Sequence, residues 1–224
     1  MAEGAMGMER QDADGPCVWV AKPIVTSDLN YGFTCQLAED DLAQLAELNK
    51  ASWRGEAISS DDLPSAMWIS PRFRGDDRRK LPHLFVAGGL VTVSEAFAET
   101  LADFPLGQTR LHPVELWRLN RKERFPGSFY FLNVAEVHRF FSPEHSARWE
   151  PFKNSRSTYL GAPCPDTQDD DLTVIPGALT GPAIWVDDTL GSTVFFSDPL
   201  VRALRAAKLT GRLEFYRCRV ATAH

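Results

Sequence analysis

Two serines are the first residues that could do chemistry. Ser94 and Ser197 each follow a short apolar run and precede a helical pattern. Neither sits in a GxSxG elbow, and no cysteine lies in a protease-like context. Both serines are therefore expected to be helix N-caps, whose side-chain oxygen takes up a free backbone N–H. The histidines are His83, His112, His138, His145 and His224. His138 and His145 lie seven apart, which puts two ligands neither on one helix face nor on one side of a strand, and no HExxH or Cys–His spacing occurs. Cys17, Cys35, Cys164 and Cys218 are scattered without a CxxC and are expected to be reduced thiols. GxGxxG and GxxxxGK[ST] are absent, so no phosphate cradle is read, and Gly88-Gly89 is a turn. Asp187-Asp188 could pair as acid and base, but an Asp-Asp-Thr turn after Ala183–Val186 is the expected fate. No catalytic residue, metal ligand or cofactor is assigned and no enzyme is expected. The rival reading is an enzyme assembled from scattered residues such as His112, His138, Glu115 and Asp187.

Side chains suited to binding are easier to find. Trp53, Trp68 and Trp149 lie in polar stretches, where a tryptophan can anchor an interface. The stretch 71–80 places Arg72, Arg74, Arg78, Arg79 and Lys80 around Asp76 and Asp77. It is expected to be a solvated loop whose charges partly cancel, the alternative being an anion or nucleic-acid contact. The net charge of −6 gives no help with phosphate affinity and suits a partner with a positive surface. Nucleic acid is not the expected partner.

These residues need elements to position them. Residues 1–16 read as a disordered leader with no apolar core of a signal peptide, and no apolar run is long enough for a membrane helix, so the cytoplasm is the expected compartment. Residues 17–25 suggest a first strand, and the acids at 39–41 followed by Leu42, Leu45 and Leu48 predict a helix. Residues 84–93 predict a hairpin. A unit of strand, serine, helix, glycine and strand follows: Val91–Val93, Ser94, the stripe Phe97, Leu101 and Phe104, Gly107, then a strand after Pro113. The same unit recurs at Val194–Phe196, Ser197, the stripe Leu200, Leu204 and Ala207, Gly211, and the alternating run 212–220. Val91, Ser94, Leu101 and Leu106 match Val194, Ser197, Leu204 and Leu209 at constant offset. Duplication and shared capping grammar both account for this. Between the units, 129–134 predicts a core strand and 142–172 a long polar surface loop. The expected class is α+β: a mixed, largely antiparallel sheet with helices packed on it and a strand–helix–strand unit occurring twice. Its expected segments are the leader 1–16, an N-terminal α/β segment 17–80 on the same core, and an α+β domain 81–224.

The order of these elements carries a resemblance. Val93-Ser94-Glu95, Pro113-Val114-Glu115-Leu116, Tyr130–Val134, and Phe196-Ser197-Asp198 through Leu209-Thr210-Gly211 to Phe215 follow one another over Leu81 to Cys218. In this order they resemble a bacterial immunity-protein family, frequent in myxobacteria and proteobacteria and first described as a domain of unknown function. His138-Arg139-Phe140-Phe141 stands where that family tends towards an Asp-containing segment leading to a Ser. The resemblance implies an immunity-type α+β domain in a cytoplasmic antitoxin. Its partner would be a cognate polymorphic or secretion-delivered toxin encoded by an adjacent gene, blocked by steric occlusion. On that reading Asp166, Asp169, Asp170 and Asp171, with Asp187, Asp188 and Trp149, are the expected toxin-binding residues, the acids speeding encounter with a basic toxin.

Overall fold

β-branched and aromatic runs punctuated by Gly and Pro form short strands, and the leucine- and alanine-bearing stripes form helices. The computed structural model describes residues 15–21, 28–35, 39–153, 159–191 and 193–221. The chain enters as β1 (Val18–Ala21), β2 (Asn30–Tyr31) and β3 (Phe33–Thr34), followed by α1 (Glu39–Trp53) and β4 (Ala66–Ile69). The hairpin β5 (Leu84–Ala87) and β6 (Leu90–Ser94) leads into α2 (Glu95–Ala102), then β7 (Arg110–Trp117) and β8 (Phe129–Asn133). The second part runs through β9 (Val137–His138), β10 (Trp149–Pro151), β11 (Gly161–Pro163) and β12 (Thr173–Val174). It ends with β13 (Ile184–Asp187), β14 (Val194–Ser197), α3 (Asp198–Ala206) and β15 (Phe215–Val220). The predicted leader, the end of the first strand at 22–25 and His224 lie essentially outside the described residues.

The α+β class holds, but the single expected sheet is two. One sheet has the strand order β2-β5-β6-β8-β7-β4-β3, the other β12-β15-β1-β14-β13-β9, and β10 and β11 form a separate hairpin. The two orders correspond: β2, β5, β6, β8, β7 and β4 match β9, β13, β14, β1, β15 and β12. Both sheets are parallel at the corresponding outer pairs and antiparallel between them. The registers agree as well. Phe85 faces Thr92 as Trp185 faces Phe195, Val93 faces Tyr130 as Phe196 faces Trp19, and Pro113 faces Tyr130 as Arg217 faces Trp19. Ala66 faces Glu115 as Thr173 faces Arg219. The repeat visible in sequence is thus the middle of a much larger one. Its second copy takes its fourth strand, β1, from the other end of the chain. Residues 17–80 accordingly divide between the sheets, β1 in one and β2–β4 in the other, and 81–224 holds neither sheet complete.

Alternation along each strand sends one set of side chains inward and the other outward. The inward sets meet in a shared core: Val93, Phe97, Leu101 and Leu132 from one half, Phe196, Leu200, Leu204 and Ala21 from the other. Helices α2 and α3 pack together there. Each sheet also has an outer cluster, Phe85, Phe131 and Met67 on one and Trp185, Val20 and Val174 on the other, at corresponding positions. Burying each such side chain contributes about 1.5–3 kcal/mol.

Several local expectations change. The run 71–80 is largely a 3-10 helix, Pro71–Arg78. The loop expected over 142–172 contains a 3-10 turn, Pro143–His145, and strands β10 and β11. Strand β7 begins before Pro113. Ser94 caps α2 through its hydroxyl, which accepts the Phe97 N–H at 3.4 Å. Ser197 holds the equivalent extended backbone but makes no side-chain cap bond.

Candidate functional site

The acids expected to meet a partner are mostly engaged within the fold. Asp187 is 1% exposed. One carboxylate oxygen accepts the N–H groups of Phe140 and Phe141 at 2.9 and 2.8 Å, and the other accepts the Thr189 N–H at 2.9 Å and its hydroxyl. It is a buried turn anchor and does not reach the surface. Its neighbour Asp188 forms a bidentate pair with Arg139 (2.9 and 2.6 Å), whose hydrogen bonds hold the carboxyl below its usual range. Asp169 accepts the Arg217 N–H at 2.7 Å, and Asp170 donates its own N–H to the Arg217 carbonyl and grips the guanidinium at 2.9 Å from Nε. Asp171 accepts the Gln168 N–H at 2.8 Å. Asp166 is exposed and pairs with Arg148 at 3.2 Å. Trp149 packs edge-on against Phe141 and donates to the Pro143 carbonyl at 3.1 Å. The structure therefore brings Asp169, Asp170 and Asp171 together as a turn laid along β15. It leaves Asp187 and Asp188 on the far side of that sheet, at β13.

The residues of the enzyme reading do not converge. His138 stacks on Phe140 and bonds Glu136 at 3.1 Å. It is the cross-strand neighbour of Asp187, but the Asp187 oxygens are taken by the Phe140, Phe141 and Thr189 donors. His112 lies in the other sheet, buried, with Nε2 lacking a hydrogen-bond partner, and desolvation pushes its pKa down. Among the described residues no group of three or more His, Cys, Asp or Glu converges to hold a metal. Cys17, Cys164 and Cys218 are reduced thiols. Burial and the Asp198 carboxylate push Cys17 up to about 11, and burial raises Cys218 as well.

Comparison of the halves locates what is distinctive. In the second half the turn at Asp169–Asp171 covers the β15 edge, leaving a cleft of about 10 Å³ beside Arg217, Cys218 and Cys17. The corresponding place in the first half is an open groove of about 600 Å³, lined by Ser65, Pro113, Glu115, Arg124, Phe125 and Tyr130 among others. Sequence explains the difference. Pro113 occupies the Arg217 position, so it has neither the N–H that Asp169 accepts nor the guanidinium that Asp170 grips. The Leu63 N–H turns back to the Ser60 carbonyl instead.

The β7–β8 loop, whose Arg124 and Phe125 line this groove, and the 3-10 segment tied to it both carry cations. The 3-10 segment is anchored on Gly32, whose N–H donates to Asp76 at 2.9 Å and whose carbonyl accepts from Ser70 at 2.8 Å. The Phe73 ring lies so close to Gly32 that a Cβ there would overlap it. The β7–β8 loop is bolted to this segment by Asp77, which accepts the Leu119 N–H at 2.7 Å and, through its carbonyl, the Arg118 guanidinium. The loop carries Arg118, Arg121, Lys122 and Arg124 against one acid, Glu123. Arginines sit over ring faces: Arg121 on Trp68 at 4.1 Å, Arg124 on Trp117 at 4.6 Å, Arg118 on Phe125 at 4.6 Å and Arg79 on Tyr31 at 4.0 Å. Arg79, Arg118 and Arg124 also pair with Asp76, Glu123 and Glu115 at 2.9, 4.0 and 2.6 Å, whereas Arg121 has no ion pair among the described residues. Trp68 belongs here, whereas Trp53 is tied inward by a bond to the Gly89 carbonyl at 3.2 Å. Neither segment has a charged counterpart in the second half, where the short 3-10 turn Pro176–Thr180 carries no charge and β15 and β1 are not joined in sequence.

The sequence sets the 71–80 cations around Asp76 and Asp77, but nothing in it joins them to another segment. The loop's own signal is four cations in seven residues between two strands, but the two segments meet only through the fold. No family model and no curated protein matches this chain.

Proposed function

We propose that this chain is an immunity protein that binds a cognate toxin and neutralises it by steric occlusion. The ordered motifs from Leu81 to Cys218 motivate the reading. The observation that carries it is the open groove and its clamped rim on a scaffold that fills the same place in its other half. Pre-formed surfaces of this kind bind without a large ordering cost. The repeated serines, helices and strands are scaffold, and specificity belongs to what the first half adds to the repeat.

The test is genetic and direct. The product of the adjacent gene is expressed in a susceptible host with and without this chain. Growth restored by the chain, together with co-purification of the pair, is the expected outcome. Lack of rescue against every neighbouring toxin would remove the immunity reading.

A further inference from the structure

We propose that the cationic face made by Pro71–Arg78 and the β7–β8 loop, with the groove beside Pro113, docks an acidic surface or segment of a protein partner. This rests on the immunity reading for the identity of that partner, and it reverses the expectation that this chain's own acids make the contact.

Three observations argue for an acidic occupant. The chain carries a net charge of −6, yet Arg74 and Arg78, and Lys122 in the loop that Asp77 ties to their segment, stand exposed with no ion pair among the described residues. The second half supplies an internal precedent. There the corresponding groove is occupied by an acidic turn, in which Asp170 holds Arg217 with both carboxylate oxygens and its backbone N–H meets the strand's carbonyl. In the first half the Pro113 carbonyl is on the same edge, because Glu115, two residues on, donates its N–H to Ser65 on that side. Finally, Arg121 lies over the Trp68 ring at 4.1 Å with no ion pair among the described residues, so its guanidinium is available for two-point contact with a carboxylate.

The same geometry argues against nucleic acid. Base stacking needs open ring faces, and those of Trp68, Trp117 and Phe125 are covered by the chain's own guanidinium groups. Asp76, Asp77 and Glu123 interrupt the face and would oppose a continuous phosphate backbone.

The variant Arg74→Glu/Arg78→Glu/Lys122→Glu alters exposed side chains without touching the stacked arginines, and Arg74→Gln/Arg78→Gln/Lys122→Gln provides a milder set. Association with the adjacent-gene toxin is measured at low salt, beside retention of poly-glutamate and of a single-stranded DNA oligonucleotide. The reversed variant is expected to slow toxin association about tenfold, the neutral one less, with Asp166→Asn/Asp188→Asn unchanged. Toxin binding that survives the reversal at full rate overturns the surface and leaves the immunity reading standing. Where no neighbouring product binds, the immunity reading fails and poly-glutamate decides: retention lost on reversal supports the surface, and no retention by the unaltered chain overturns it. Oligonucleotide retained more tightly than poly-glutamate overturns it in favour of nucleic acid.

Discussion

Buried polar side chains with opposite fates show how much one residue can decide. Asp187 is satisfied by four donors from two segments. Asp187→Ala would leave Phe140, Phe141 and Thr189 donors without a partner in a dry site and is expected to cost on the order of 3 kcal/mol, read by urea unfolding. His112 is the reverse case, buried with an unpartnered Nε2 and a pKa below 6.5 in the fold. The unfolded chain therefore takes up the proton first as pH falls. The stability contribution is complete above about 6.5, the ordinary His value, and declines as pH drops from there towards the lower folded value. His112→Gln should flatten the stability profile between pH 5 and 7, as measured by denaturation at each pH. An unchanged slope would place the titration elsewhere.

Helix capping and the anchoring of the 3-10 segment belong to the scale of elements. Both serines read alike in sequence, but only Ser94 accepts a cap bond, and it also bonds His83 Nδ1 at 2.8 Å. Ser94→Ala is expected to cost about 1 kcal/mol and Ser197→Ala less than half of that, as compared by thermal unfolding. Beside Ser197, the Asp198 carboxylate accepts from Trp19 Nε1 at 2.9 Å and pairs with Arg202 at 2.7 Å. Gly32 carries a similar burden for the cationic segment. Gly32→Ala would drive a methyl into the Phe73 ring, so residues 71–80 should exchange amide hydrogen faster while the central core stays protected. Hydrogen exchange resolved by peptide would detect this, and equal protection would show that Phe73 yields without moving the segment.

At the scale of the molecule, the two halves share one apolar core, and one half borrows a strand. The segment 81–224, which carries the whole resemblance, lacks β1 between β14 and β15 and lacks β2 and β4 beside β5 and β7. Expressed alone, it is expected to lose cooperative unfolding, whereas the full chain melts in a single transition. A folded 81–224 fragment would show that the N-terminal strands are dispensable additions.

Local chemistry in the sequence determined the class and the individual elements: the capped helices, the Gly88-Gly89 hairpin, the strand at 129–133 and the repeat at its most regular part. These signals lie within a few residues of each other, so no long-range information is needed to read them. Tertiary structure alone decided that there are two sheets, that β1 completes the far one, and that Asp187 is buried while Asp77 ties the Pro71–Arg78 segment to the β7–β8 loop. Strand order and burial depend on which distant segments pair, and sequence spacing does not encode that choice. The Pro113 and Arg217 correspondence shows the boundary: both residues are plain in the sequence, but the proline opens a groove only because the register sets it where the other half places an arginine.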